Sequence, residues 1–449
     1  MGSNAEIASH SSSSTGGPRR PSEIRRVAIA SFVGALLEWY DFFLFGTAAA
    51  LVFGPLFFPS ENPTVGTLAA FAAFGVGFVA RPLGGIIFGH YGDKFGRKTV
   101  LVITLMIMGV CTVLIGLLPS YETIGVAAPV LLVVLRLLQG IGIGGEYAGA
   151  ALMTIEHAPE HQKGFWGSLP QAAASGGILM ATGAFALVSL LPEEQFLSWG
   201  WRLPFLFSAL LLVVGLVIRL TVSESPEFEK AVAAREQVKE EAKKESIPLV
   251  EVITKHPRNL LLALGARLGE TVTSNTINAF GIYYVTTQIG LDRSIALDGM
   301  LIASALGLVA VPLLGWFSDK IGRRPIYITG ALLGVVLAYP MFWLFGTGNP
   351  ALVILGFAVV YVLVPTTMFS VQSVFFSELF GTKARFTGLS LAYQVSAIAG
   401  GYVPTVATFL LLANGGSPAL VALVFAGVCV ITAVCAWLAS DVKSTNDTP

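Results

Sequence analysis

Seven ionisable side chains stand inside otherwise apolar stretches of this sequence: Glu38, Asp41, Arg81, Arg136, Glu146, Arg267 and Glu270. Facing hydrocarbon, each would cost roughly 2.5–3.5 kcal/mol at the centre of a bilayer, so each must pair or face a polar cavity. Four acids against three bases leave one carboxylate without a cationic partner, a natural proton carrier. Glu38 and Asp41 are three residues apart and share a helical face. Two carboxylates in a low-dielectric site resist being ionised together, which is the property proton coupling needs. Either Asp41 or Glu38 takes that role, unless one of them pairs structurally with Arg81 or Arg136.

Arg136 presents a planar fork suited to a carboxylate. Gln139, Gly140 and Tyr147 lie near its face, and it reads either as a substrate anchor or as a fixed partner of Glu146 or Asp41. Arg81 lies nearer the end of its segment, which suits a gate. Further along, Arg267, Glu270, Thr271, Ser274 and Asn278 fall within an arc of roughly 100° on a helix, a polar stripe that reads as a cavity wall. Gln372, Tyr393 and Gln394 add possible hydrogen bonds in later segments.

The elements that must hold these groups are long and apolar. Of 449 residues, 54% are hydrophobic and 12% charged, and the mean hydropathy is +0.75. Soluble domains carry about 25% charged residues, so half the usual water-facing charge is missing. Twelve apolar segments are predicted, at 27–54, 65–89, 99–118, 127–152, 165–190, 203–222, 259–288, 297–318, 325–346, 351–377, 385–412 and 418–440. Lipid satisfies no backbone hydrogen bond, so runs of this length without strand alternation must be helices. They divide into an N-terminal bundle, 27–222, and a C-terminal bundle, 259–440, joined by a mixed-charge linker at 223–258. Tails at 1–26 and 441–449 flank them, the first rich in Ser, Gly and Pro and read as disordered.

With the N-terminus in the cytoplasm, 21 Lys and Arg residues fall on cytoplasmic segments and only Arg202 and Arg293 outside. That asymmetry predicts that both termini are cytoplasmic. The net charge of zero gives no reason to expect nucleic acid as a partner. Cys111, Cys429 and Cys435 sit in apolar runs without metal-ligand spacing, and no histidine lies deep in a segment. Neither a metal nor a cofactor is expected.

Gly89-His-Tyr-Gly-Asp93-Lys-Phe-Gly-Arg97-Lys98 returns 226 residues later as Gly315-Trp-Phe-Ser-Asp319-Lys-Ile-Gly-Arg323-Arg324. Asp93 with Arg97 and Asp319 with Arg323 form latches that must break when two halves rock. Glu156 with Lys163 and Glu378 with Arg385 give a weaker echo at a spacing of seven. Gly140-Ile-Gly142-Ile-Gly-Gly145 fits a dinucleotide fingerprint in letters alone. It lies inside an apolar segment with no preceding strand, and its glycines are read as allowing close helix packing.

These paired loops resemble the signature of the major facilitator superfamily. Within it the chain is similar to the metabolite:proton symporter family, alongside shikimate, α-ketoglutarate, citrate and proline/betaine permeases. The resemblance is carried by Glu38-Trp-Tyr-Asp41-Phe-Phe, Arg81-Pro-Leu-Gly-Gly85, Arg136-Leu-Leu-Gln139-Gly140, Gly144-Gly145-Glu146, Trp199-Gly-Trp-Arg202, and Glu224-Ser-Pro226. It runs from about residue 27 to 440 and thins in the second half, where GARLGE, SDKIGRR, YITG and AYQV look shikimate-type. It implies an all-α integral membrane protein with twelve transmembrane helices in two pseudo-symmetric six-helix bundles, in a bacterial plasma membrane. It also implies a monomer, without a cofactor, whose partners are the bilayer, a proton and a small metabolite, taken up by symport. A carboxylate such as shikimate is the expected cargo. A zwitterionic osmolyte is the second reading, although only nine polar residues (441–449) follow the last segment where osmosensing relatives carry a coiled coil. A membrane oxidoreductase or a channel is the third, disfavoured by the lack of ligand clusters and by the paired latches.

Overall fold

The computed structural model describes residues 21–95, 97–144, 154–155, 158–221, 254, 257–380 and 385–439. Side chains at 89–98 fall outside that description, as do Glu146, Tyr147, Glu156 and the tails; the linker does too, apart from residues 254, 257 and 258. The Asp93/Arg97 latch therefore lies outside the described residues. So does the Glu146 partner considered for Arg136.

The long helices are α1 Pro21–Ala48, α2 Pro63–Phe95, α3 Arg97–Leu117, α4 Ala127–Ile143, α5 Lys163–Val188 and α6 Arg202–Thr221. The second half holds α7 Pro257–Asn275, α8 Arg293–Ile321, α9 Arg323–Gly346, α10 Pro350–Leu379, α11 Arg385–Ala413 and α12 Ala419–Leu438. Most ends fall within a few residues of the sequence limits. α1 starts at Pro21 rather than 27, and it runs on through a π turn, Ala49–Phe53, to Phe57. The described residues hold no strand.

Among the described residues nine of these helices are long and apolar enough to cross a membrane, and α4 and the Val102–Leu117 part of α3 are shorter apolar helices. α7 is the remaining one. Its Arg267, Glu270, Thr271, Thr273, Ser274 and Asn275 are all buried or half-buried, so its polarity is spent inside the protein. The outward faces are apolar instead, with Leu313, Val336, Trp343 and Trp437 among the exposed side chains. An inside-out distribution of this kind matches a lipid solvent, where only satisfied backbone and apolar side chains are tolerated at the surface. α7 also passes through two π turns, Thr276–Gly281 and Tyr284–Gln288, which rotate the face it presents further along.

Helices α2 and α4 touch backbone to backbone. A Cβ on Gly140 would collide with the Gly77 carbonyl, one on Gly84 with the Ile141 carbonyl, and one on Gly144 with the Arg81 carbonyl. The glycines of the false nucleotide fingerprint are thus packing residues, as read from the sequence. Gly140→Ala is expected to overpack this seam and lower the melting temperature by about 5 °C. Gly427→Ala, where a Cβ meets nothing within 4 Å, should leave it unchanged or raise it. Equal shifts in a thermal-melting experiment would contradict the packing argument.

Candidate functional site

Between the two bundles lies a small cavity. Trp39, Phe42, Phe78 and Arg81 line it from the N-terminal half, with Ser175 of α5. Arg267, Glu270, Ser274, Tyr361 and Phe369 line it from the C-terminal half. A smaller chamber adjoins it, bounded by Thr47, Thr182, Asn275 and Asn278 among others, and Asn275 belongs to both. Aromatic side chains alternating with convergent charged and polar groups are the usual make-up of a small-molecule site.

The cations in this region differ in their circumstances. Arg267 donates from Nη1 to Glu270 Oε2 at 2.6 Å, and its guanidinium lies 3.5 Å from the centroid of Tyr393. Arg81 is 3% exposed and stacks on Phe78 and Phe42, 4.3 and 4.7 Å from their centroids. It makes no hydrogen bond or ion pair among the described residues, and its Nε is buried without an acceptor. A buried cation without an ion pair among the described residues is costly, and two ring faces compensate only in part.

Arg136 is held elsewhere. It is 1% exposed, sits over the Phe45, Phe74 and Phe42 rings at 4.3, 5.0 and 5.1 Å, and does not line the cavity. Its Nη1 donates to Gln139 Oε1 at 3.2 Å, and Gln139 Nε2 donates to Thr112 Oγ1 at 2.8 Å. Thr112 stands within hydrogen-bond reach of Asp41, whose Oδ1 also accepts from Ser208 Oγ at 2.8 Å. Thr112 Oγ1 itself donates to the Met108 carbonyl at 2.9 Å, and Asp41 lies within electrostatic reach of Arg136 inside the N-terminal bundle. No direct ion pair within 4 Å joins them among the described residues. Glu38, partly buried, lies within electrostatic reach of both Asp41 and Arg81.

Of the residues singled out in the sequence, Arg81, Arg267, Glu270 and Ser274 meet in the cavity and Asn278 in the adjoining chamber. Asp41, Arg136 and Gln139 meet behind the Phe42/Phe45/Phe74 wall. Gln394 instead donates from Nε2 to the Gly144 carbonyl at 3.0 Å, a contact between the halves. Asn275, eight residues after Arg267, shares the α7 stripe and is missed only because the stripe was drawn through its neighbours. Ser208 and Thr112, single polar residues in apolar helices, carry no sequence signal that ties them to Asp41.

The halves also touch on either side of the cavity. At one end Asp319 accepts from the backbone N–H groups of Gly164 and Phe165, at 2.7 and 2.9 Å, on the first turn of α5. Asp319 is held in place by Arg323 Nη2 at 3.1 Å, and Arg323 Nε lies 3.6 Å from Glu378 Oε1. A carboxylate on a helix N-terminus meets both free amides and the positive end of the dipole. The second latch thus reaches across to the other bundle as well as along its own helix. At the opposite end Arg293 pairs with Glu193 and donates from Nη2 to the Ser189 and Leu191 carbonyls, at 3.4 and 3.5 Å, beyond the last turn of α5. Next to it, Asp292 caps α8 by accepting from the Ser294 backbone N–H at 2.8 Å, which holds its carboxyl below the usual range. α8 thus fastens both ends of α5. Between these fastenings Gly307 and Gly315 press on Ser175 and Ser168.

Two six-helix bundles facing each other across a polar cavity, with fastenings on both sides of it, define a membrane transporter. The chain matches the sugar (and other) transporter family over residues 27–440 and belongs to that family, within the major facilitator superfamily. It is 42% identical to the shikimate transporter of Escherichia coli (strain K12), over 94% of this chain and 95% of that one. It is also 41% identical to the inner membrane metabolite transport protein YhjE of the same organism, over 86% and 87%. The proline/betaine transporter of Salmonella typhimurium is 35% identical, over 86% and 78%. A D-xylose-proton symporter crystal structure shares the fold at TM-score 0.72 and 18% identity, covering 94% of this chain and 99% of that one.

Proposed function

We propose that this transporter takes up a small hydroxylated carboxylate of the shikimate type together with a proton, across a bacterial inner membrane and with both termini in the cytoplasm. Arg81, a buried guanidinium that lines the cavity and makes no ion pair among the described residues, is the observation that carries this reading. A carboxylate is the ligand whose two oxygens fit its fork. The Arg267–Glu270 pair and the α7 stripe form the opposite wall, and Trp39 and Phe369 supply flat apolar faces for a ring. The proton belongs to Asp41, with Glu38 the alternative. Protonating Asp41 removes the negative charge nearest Arg136, and the field across the Phe42 wall becomes more positive. Anion binding at Arg81 is then favoured by the same charge that arrives as the proton. The similarity to the shikimate transporter supports the cargo class.

The test is uptake into proteoliposomes. Shikimate should accumulate when the outside is made more acidic than the inside and should merely equilibrate without that gradient. Accumulation indifferent to the gradient would remove the coupling. Betaine transported in preference to shikimate would favour the osmolyte reading, to which the 35% identical proline/betaine relative also belongs.

A further inference from the structure

We infer that the smaller chamber beside the cavity is the subsite for the hydroxyl-bearing end of the cargo, and that Asn275 is the residue that reads it. This rests on the carboxylate reading of Arg81 and adds the recognition of the other end.

Asn275 is 6% exposed and lines both spaces. Its Nδ2 donates to the Thr271 carbonyl at 2.9 Å, one turn back on α7, so the amide is fixed in orientation. Its Oδ1 is buried with no donor. A desolvated amide oxygen left without a hydrogen bond is destabilising, and native interiors rarely keep one unless a ligand or water fills it. Asn278 repeats the arrangement one turn further on: its Nδ2 is turned back to the Ser274 carbonyl at 2.9 Å and to Ser274 Oγ at 3.2 Å. Asn275 thus offers an unsatisfied carbonyl oxygen and one remaining N–H, a donor–acceptor pair that suits a hydroxyl group, which can both donate and accept.

Thr47 and Thr182 add hydroxyls from the N-terminal half, while Phe43, Phe74 and Ile178 keep the remainder apolar. The cargo is thereby oriented, with its carboxylate on Arg81 and its hydroxyls towards Asn275. A quaternary ammonium carboxylate has no donor for Asn275. It would occupy the site with that oxygen still unsatisfied, and this is how hydrogen-bonding sites reject analogues that lack the group.

The experiment is equilibrium binding to the purified full chain in nanodiscs. Two probes are compared: shikimate, and cyclohex-1-ene-1-carboxylate, which keeps the ring and the carboxylate but has no hydroxyl. Wild-type protein should prefer shikimate. Asn275→Leu should weaken shikimate about tenfold, the loss of one neutral hydrogen bond with its partner stranded, and leave the deoxy probe unchanged or tighter. Thr182→Val, nearly the same in shape, should weaken shikimate alone by a few-fold, and it reports on the chamber independently if Asn275→Leu does not fold. Equal loss of both probes in these variants, or no loss of shikimate, overturns the subsite while leaving the anion site standing. Wild-type protein that binds neither probe overturns the carboxylate reading and the subsite with it.

Discussion

Arg81→Leu should abolish tight binding of an anionic cargo while raising the melting temperature of the ligand-free protein. Removing one partner of a desolvated, hydrogen-bonded charge pair costs about 2–5 kcal/mol, so a loss of roughly 100-fold or more in affinity is expected. The stability gain follows from the same geometry. The guanidinium is buried, meets no anion among the described residues and rests on two phenylalanine rings, so an apolar side chain fits the empty site better than a cation does. Arg81→Lys keeps the charge but loses the two-pronged fork, and should fall between the two. A structural arginine would behave oppositely, with melting temperature and affinity falling together. Unchanged affinity in Arg81→Leu, by equilibrium binding, would return Arg81 to the gating role that its position in the sequence suggested.

Asp41→Asn is the second large effect. The substitution keeps the shape and a carbonyl oxygen for Ser208, but fixes the side chain in a neutral state. Uptake driven by a proton gradient should fall to the equilibrium level, whereas exchange of labelled for unlabelled cargo should continue near the wild-type rate. A one-unit pH gradient supports about tenfold accumulation per coupled proton, so the expected drop is of that size. Asp41 is favoured over Glu38 because it is the carboxylate within electrostatic reach of Arg136, held by Ser208 inside the N-terminal bundle. Should Asp41→Asn still concentrate cargo while Glu38→Gln does not, the assignment is reversed. The observable that separates the two is the accumulation ratio, not the initial rate.

The spans were legible because their signal is local. An apolar run of membrane length can satisfy its backbone only as a helix. The polar stripe on α7 was legible for the same reason, since a helix repeats its faces on a fixed period. Which arginine meets the cavity was not. Arg81 and Arg136 both stand mid-chain in glycine-rich helices. The choice between them depends on how α2 and α4 are rotated against each other, which the backbone contacts at Gly77, Gly84, Gly140 and Gly144 decide. Arg323 was legible as a partner of Asp319, but the Ser208 partner of Asp41 and the α5 amides that meet Asp319 were equally hidden. Ser208 is 167 residues from Asp41 and Gly164 is 155 from Asp319, and nothing in either neighbourhood names the other.

The grip of α8 on both tips of α5 has a mechanical corollary. The two rods run antiparallel with only glycine and serine between them at the Ser168 and Ser175 contacts, so each can pivot on the other with little side-chain bulk in the way. Prising apart the Asp319 tip leaves the Arg293 tip as the fulcrum, and the reverse holds as well. A seesaw mounted in this way ties the opening of one door to the closing of the other through the helix pair itself.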